Sequence, residues 1–86
     1  MSITVSEIET IRAEVARIAR VDLTRIADDT DFVSELGMGS LELLDLLAFV
    51  EQRMKVILPD EALVNLTTIE LIRCRFDTLK NEEGKV

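Results

Sequence analysis

Apolar residues return at three- and four-residue steps in three separate stretches of the chain, a spacing that predicts helices. Ile8, Ile11, Val15 and Ile18 form the first stripe behind a Ser6/Glu9 capping-box pattern, so a helix is expected over residues 7–20. The second stripe, Leu43, Leu46, Leu47, Val50 and Met54, falls on one side of a helix opening at Ser40 and reaching about Met54. Lys55-Val56-Ile57-Leu58-Pro59 then interrupts it with β-branched residues and a proline. Asp60 has the character of an N-cap for a short third helix through about Val64. Thr67 and Glu70 make a second capping box, opening a fourth helix with Ile69, Leu71, Ile72, Phe76 and Leu79. A polar tail is expected over 80–86, after an ordered core of about 7–79.

Between 21 and 39 the periodicity fails while Thr24, Asp28, Asp29, Thr30, Asp31 and Ser34 accumulate, which indicates a long connection pinned by Leu23, Ile26, Phe32 and Leu36. Connections of this length are usually functional. The only strand-like run is 54–58, and nothing else in the chain could pair with it. The expected fold is therefore all-α: one small four-helix bundle over 1–86, with a long loop between the first two helices and a short third helix.

Eighty-six residues support one core and little else, because a domain of that size buries only roughly 60% of its unfolded surface. A deep enzyme cleft is not expected. Seventeen acids against ten bases give a formal charge of −7, which disfavours nucleic acid and anionic membranes and favours basic protein surfaces. One Cys excludes an internal disulfide, and the absence of His removes the commonest metal ligand and general base, so no metal site is expected. No apolar run approaches the roughly 20 residues of a membrane span and no signal pattern opens the chain, so it reads as soluble and cytoplasmic; a monomer is expected.

Leu36-Gly37-Met38-Gly39-Ser40-Leu41 places one hydroxyl where a glycine-bracketed loop enters a helix. Helix starts carry unpartnered N–H groups and partial positive charge, so an anionic group attached at Ser40 would be held there. Without His to activate it, Ser40 is an acceptor modified by another enzyme rather than a nucleophile. The second helix also mixes apolar and acidic groups on its outer side: Leu41, Leu44 and Ala48 beside Glu42, Asp45 and Glu51. That face is a candidate docking surface; packing of Leu41 and Leu44 under the long loop is the alternative.

Ser40-Leu41 at a helix start, preceded by Asp31-Phe32-Val33-Ser34-Glu35-Leu36-Gly37 and followed by Leu58-Pro59-Asp60-Glu61 and Leu66-Thr67-Thr68-Ile69, resembles the acyl carrier protein family over about 7–79. The family signature around its modified serine is Leu-Gly-x-Asp-Ser-Leu, and the flanking anchors fall at matching spacings. The resemblance implies a carrier rather than an enzyme. Ser40, between Gly39 and Leu41, would accept a 4'-phosphopantetheine arm from coenzyme A, whose thiol holds acyl groups as thioesters. It also implies partners: a phosphopantetheinyl transferase, and loading ligases, synthases or transferases with basic docking faces, in specialised fatty-acid, lipid or polyketide synthesis. By family position Leu46, Ile57, Ala62 and Ile72 would shelter the acyl chain, although core packing explains these residues equally well.

One departure stands at the signature itself, where the family's aspartate is Gly39. In the family that acid helps engage the transferase and its metal-bound coenzyme A, so the change implies a dedicated transferase, weak loading or none. Glycine there would also permit a positive φ. Gln52 and Arg53 stand where fatty-acid carriers have acids, and Ala62, Leu63 and Val64 make the third helix unusually apolar. Two other functions fit the same residues: an aminoacyl or peptidyl carrier loaded by an adenylating ligase, and a helical interaction module with an unused Ser40.

Other motifs fail on spacing. Counted from Asp29, a calcium loop would need glycine at Ser34 and a bidentate acid at Ser40. Residues 37–40 match neither a nucleophile elbow nor a P-loop. Cys74, between Arg73 and Arg75, is expected to be an ordinary part-buried thiol.

Overall fold

The structure, a computed structural model, describes residues 3–84 and side-chain surroundings as far as residue 77. It contains four α-helices, α1 (Val5–Ala19), α2 (Ser40–Met54), α3 (Ala62–Asn65) and α4 (Ile69–Gly84), with a 3-10 turn at Leu23–Arg25 inside the long connection. No strand occurs among the described residues: Met54 of the 54–58 run closes α2 and residues 55–58 are irregular. The side chain of Leu79 lies outside the described residues.

Both ends of α1 follow from local chemistry. Thr4 Oγ1 accepts the Glu7 N–H at 3.1 Å, and Glu7 Oε1 accepts the Thr4 N–H at 3.2 Å, so the reciprocal box sits at Thr4/Glu7 rather than at Ser6/Glu9. Glu9 receives Arg12 instead. At the other end Arg20 adopts the left-handed conformation (φ 60°) and the Val21 N–H reaches the Ala16 carbonyl at 3.1 Å, a Schellman-type stop. Lys55 and Val56 end α2 the same way.

The expected caps of the last two helices also move. Thr68 Oγ1 accepts the Leu71 N–H at 3.0 Å, so Thr68 and not Thr67 caps α4, while Glu70 turns to Arg73 and Cys74. Asp60 contributes its carbonyl, not its side chain, to the turn before α3. Residues 80–83 hold helix-compatible Lys, Asn and Glu, and α4 continues through them to Gly84 where a tail was expected.

α1 packs on α2 and α4, and α3 packs on α2. Their facing stripes form one core in which Ile11, Val15, Phe32, Leu46, Val50, Ile69 and Ile72 are fully buried. Each such side chain contributes about 1.5–3 kcal/mol by leaving water. The long connection joins this core through Ile26, Phe32 and Met38. Leu36 is half-buried as an anchor should be, but Leu23 is exposed and pins nothing.

Polar bonds complete the attachment. Arg12 donates to the Ile26 carbonyl at 2.8 Å and to Asp28 at 2.6 Å. The Phe32 N–H donates to the Thr67 carbonyl at 2.8 Å, and the Glu70 N–H to the Asp28 carbonyl at 2.9 Å. The loop is thereby fastened to α1 on one side and to the start of α4 on the other, which fixes where α2 begins.

Candidate functional site

The turn that delivers Ser40 is built from Asp31. Its Oδ1 accepts the Ser34 N–H at 2.8 Å and the Val33 N–H at 2.9 Å, and these bonds, that from Ser34 foremost, hold its carboxyl below the usual carboxylate range. Gly37 then takes a φ of +72°, which explains a glycine there, and the Met38 N–H returns to the Phe32 carbonyl at 3.0 Å. Met38 is buried to 2% exposure, so its side chain locks the turn to the core.

Gly39 is the N-cap of α2 with φ −91° and ψ −179°, ordinary extended backbone, so the positive φ considered for it is not used. A Cβ at this position would meet only Glu42 Oε1, at 3.9 Å. Ser40 is the first helical residue and is exposed. The first intrahelical bond runs from the Leu43 N–H to the Gly39 carbonyl at 3.0 Å, so the N–H groups of Ser40, Leu41 and Glu42 belong to the open end of the helix. An exposed hydroxyl at the positive end of a 15-residue helix suits a phosphate ester.

The candidate docking residues divide in two. Leu41 (78% exposed), Leu44, Asp45 and Ala48 are open, so neither leucine is covered by the long loop. Glu42 and Glu51 are half-buried and committed to backbone: Glu42 Oε1 accepts the Gly39 N–H at 2.9 Å, and Glu51 Oε2 accepts the Leu58 N–H at 2.7 Å. The Glu42 tether is a capping box at i, i+3 that Gly39 hid by having no capping side chain of its own, whereas the Glu51 tether depends on where the chain after α2 travels.

The expected acyl-shelter residues also divide. Leu46, Ala62 and Ile72 are buried in the core, but Ile57 is 93% exposed and lines no interior. Its neighbour Leu58 turns inward instead, drawn by the Glu51 bond to its N–H. The proline at 59 restricts Leu58 to extended backbone but does not say which of the two neighbours turns inward.

Two surface grooves flank α3. One, of about 360 Å³, includes Ser40 and Gly39 in its wall and is otherwise mainly apolar, with Val33, Met38, Leu43, Leu63 and Val64. The other, about 660 Å³, runs between Leu44, Leu47 and Ala48 of α2 and residues 58–60, and does not reach Ser40. The smaller groove is the one relevant to chemistry at the hydroxyl.

Cys74 is exposed rather than part-buried, and the hydrogen bond to Glu70 pushes its thiol up instead of leaving it cation-activated. No group of three or more His, Cys, Asp or Glu is placed to hold a metal, and no helix is long and apolar enough to cross a membrane, among the described residues.

The family model for the phosphopantetheine attachment site matches residues 9–72. An acyl carrier protein of Helicobacter pylori strain J99 is 32% identical over 53 residues, 62% of this chain and 68% of that protein. One from Onion yellows phytoplasma strain OY-M is 34% identical over 62 residues, 72% of this chain and 82% of its own length. The match spans α2, the turn before it and most of the bundle, so the chain belongs to the acyl carrier protein family, non-catalytic carriers of phosphopantetheine.

Proposed function

We propose that Ser40 bears the 4'-phosphopantetheine arm and that the chain presents acyl thioesters to partner enzymes in a specialised fatty-acid, lipid or polyketide synthesis. The observation carrying this reading is the position of Ser40: exposed, first in α2, and in the wall of an apolar groove. The arm supplies a thiol on a flexible tether. This chain's residues orient its root: Gly37 and Met38 fix the turn, and the open N–H groups of α2 face the ester oxygens. With no His in the chain and Glu42 committed to the Gly39 N–H, the base that takes the Ser40 hydroxyl proton is assigned to the transferase.

Docking follows from Leu41, Leu44, Asp45 and Ala48, an apolar strip with a carboxylate on a chain of net charge −7, which suits partners with basic faces around an apolar centre. That the relatives are acyl carrier proteins supports acyl over aminoacyl cargo, as does the apolar lining beside Ser40. Co-expression with a broad-specificity phosphopantetheinyl transferase and intact-protein mass spectrometry tests the reading. One added arm, absent in Ser40→Ala, is expected; an arm that persists in Ser40→Ala, or never appears with any transferase, refutes it.

A further inference from the structure

Between the buried side chains of Met38 and Leu43, residues 39–42 carry the attachment point across the open end of α2 with little packing to hold them. Gly39, Ser40 and Leu41 are exposed, and Glu42 is half-buried. Two bonds of opposite sense close the span: the Leu43 N–H donates to the Gly39 carbonyl at 3.0 Å, and the Gly39 N–H donates to Glu42 Oε1 at 2.9 Å. Among the described residues, the second is the only side-chain bond in it. Resting on the carrier reading above, we propose that Glu42 is a positioning residue for arm attachment, acting through its hydrogen bond to Gly39 and not through its charge.

Only half of a capping box stands at this helix start. In the full motif an N-cap side chain takes an N–H of the first turn while the acid three residues on takes the N-cap N–H. Gly39 has no side chain for its share, so the fixing falls to Glu42 alone. Without that bond, the exposed span would be held by the Leu43 N–H only and would fray from the helix end. The hydroxyl and the first-turn N–H groups must face an incoming phosphoryl group together, so fraying lowers the share of chains ready to accept it. An acid that serves docking points toward its partner, whereas this one turns back onto its own backbone. What the position needs is an acceptor oxygen.

The test gives the full chain and its variants to a broad-specificity phosphopantetheinyl transferase with coenzyme A, following arm attachment by intact mass and Gly39 amide exchange by NMR. A wild-type chain that gains no arm with any transferase defeats the carrier reading itself. Glu42→Ala should take the arm about fivefold more slowly, the ratio equivalent to ~1 kcal/mol of lost cap, and should lose protection at the Gly39 amide. Alanine is the better helix former, so propensity does not explain such a loss. Glu42→Gln, which keeps the acceptor and drops the charge, should load at close to the wild-type rate. Adding Gly39→Asn to Glu42→Ala supplies an uncharged N-cap in extended backbone that any residue adopts, and should restore most of the rate. Loading of Glu42→Ala at the wild-type rate, loading of Glu42→Gln as slow as that of Glu42→Ala, or absence of rescue by Gly39→Asn overturns the assignment of Glu42 while leaving the carrier reading intact.

Discussion

Glu51 Oε2 accepts the Leu58 N–H at 2.7 Å, tying the last turns of α2 to the segment that enters α3. The bond turns Leu58 into the core and leaves Ile57 in water, and it helps define the larger groove. Glu51→Ala strands that part-buried amide and should cost about 1–3 kcal/mol in urea unfolding. Glu51→Gln, which keeps an acceptor oxygen, should cost much less. Equal stability of Glu51→Ala and wild type would return Glu51 to the docking surface.

Phe32 is fully buried at the centre of the long connection, and its N–H is held by the Thr67 carbonyl. Phe32→Ala should destabilise the fold by about 3–5 kcal/mol, a core-sized loss from a loop residue. A calorimetric midpoint close to wild type would mean that the loop is not part of the core.

Acid should weaken the same attachment. The hydrogen bond from Arg12 holds the Asp28 carboxyl below its ordinary range, and Arg73 adds to it at 3.3 Å. A lowered folded pKa means that the stabilisation is complete above the unfolded value of about 3.9 and disappears as pH falls through the folded one. Asp31 adds a loss of the same sign. The thermal midpoint should therefore drop below about pH 4, with a shallower drop in Asp28→Asn, whose cost at neutral pH is limited to roughly 1 kcal/mol because Asp28 itself is exposed. Identical acid profiles for Asp28→Asn and wild type would remove Asp28 from this role.

Gly39 has no conformational need to be glycine, so Gly39→Asp should fold normally. An aspartate N-cap should add a few tenths of a kcal/mol of stability. If the missing acid limits transferase engagement, arm attachment by an ordinary transferase should also accelerate. Attachment rates unchanged from wild type would show that Gly39 is not the limiting contact.

Much of this architecture was legible in the chain itself. Ile8, Ile11 and Val15, and Leu43, Leu46, Leu47 and Val50, repeat at helical spacing and are buried as that spacing requires. Ser40 at the start of α2 was visible because glycines punctuate the turn before it. What escaped depends on competition between equivalent local signals or on distant chain. Thr4/Glu7 and Ser6/Glu9 are both capping boxes on paper, and one wins because α1 begins at Val5. The inward turn of Met38 and Leu58 and the tethering of Glu51 follow from the path the chain takes outside the helices, whereas the Glu42 tether is local, three residues from Gly39, and was hidden because glycine offers no capping side chain.

Intact mass measurement of the protein isolated from its own cells tests the central claim most directly. A population bearing one phosphopantetheine arm, mapped by fragmentation to Ser40, is the predicted result. A uniformly unmodified chain, in cells whose growth tolerates Ser40→Ala, would contradict it.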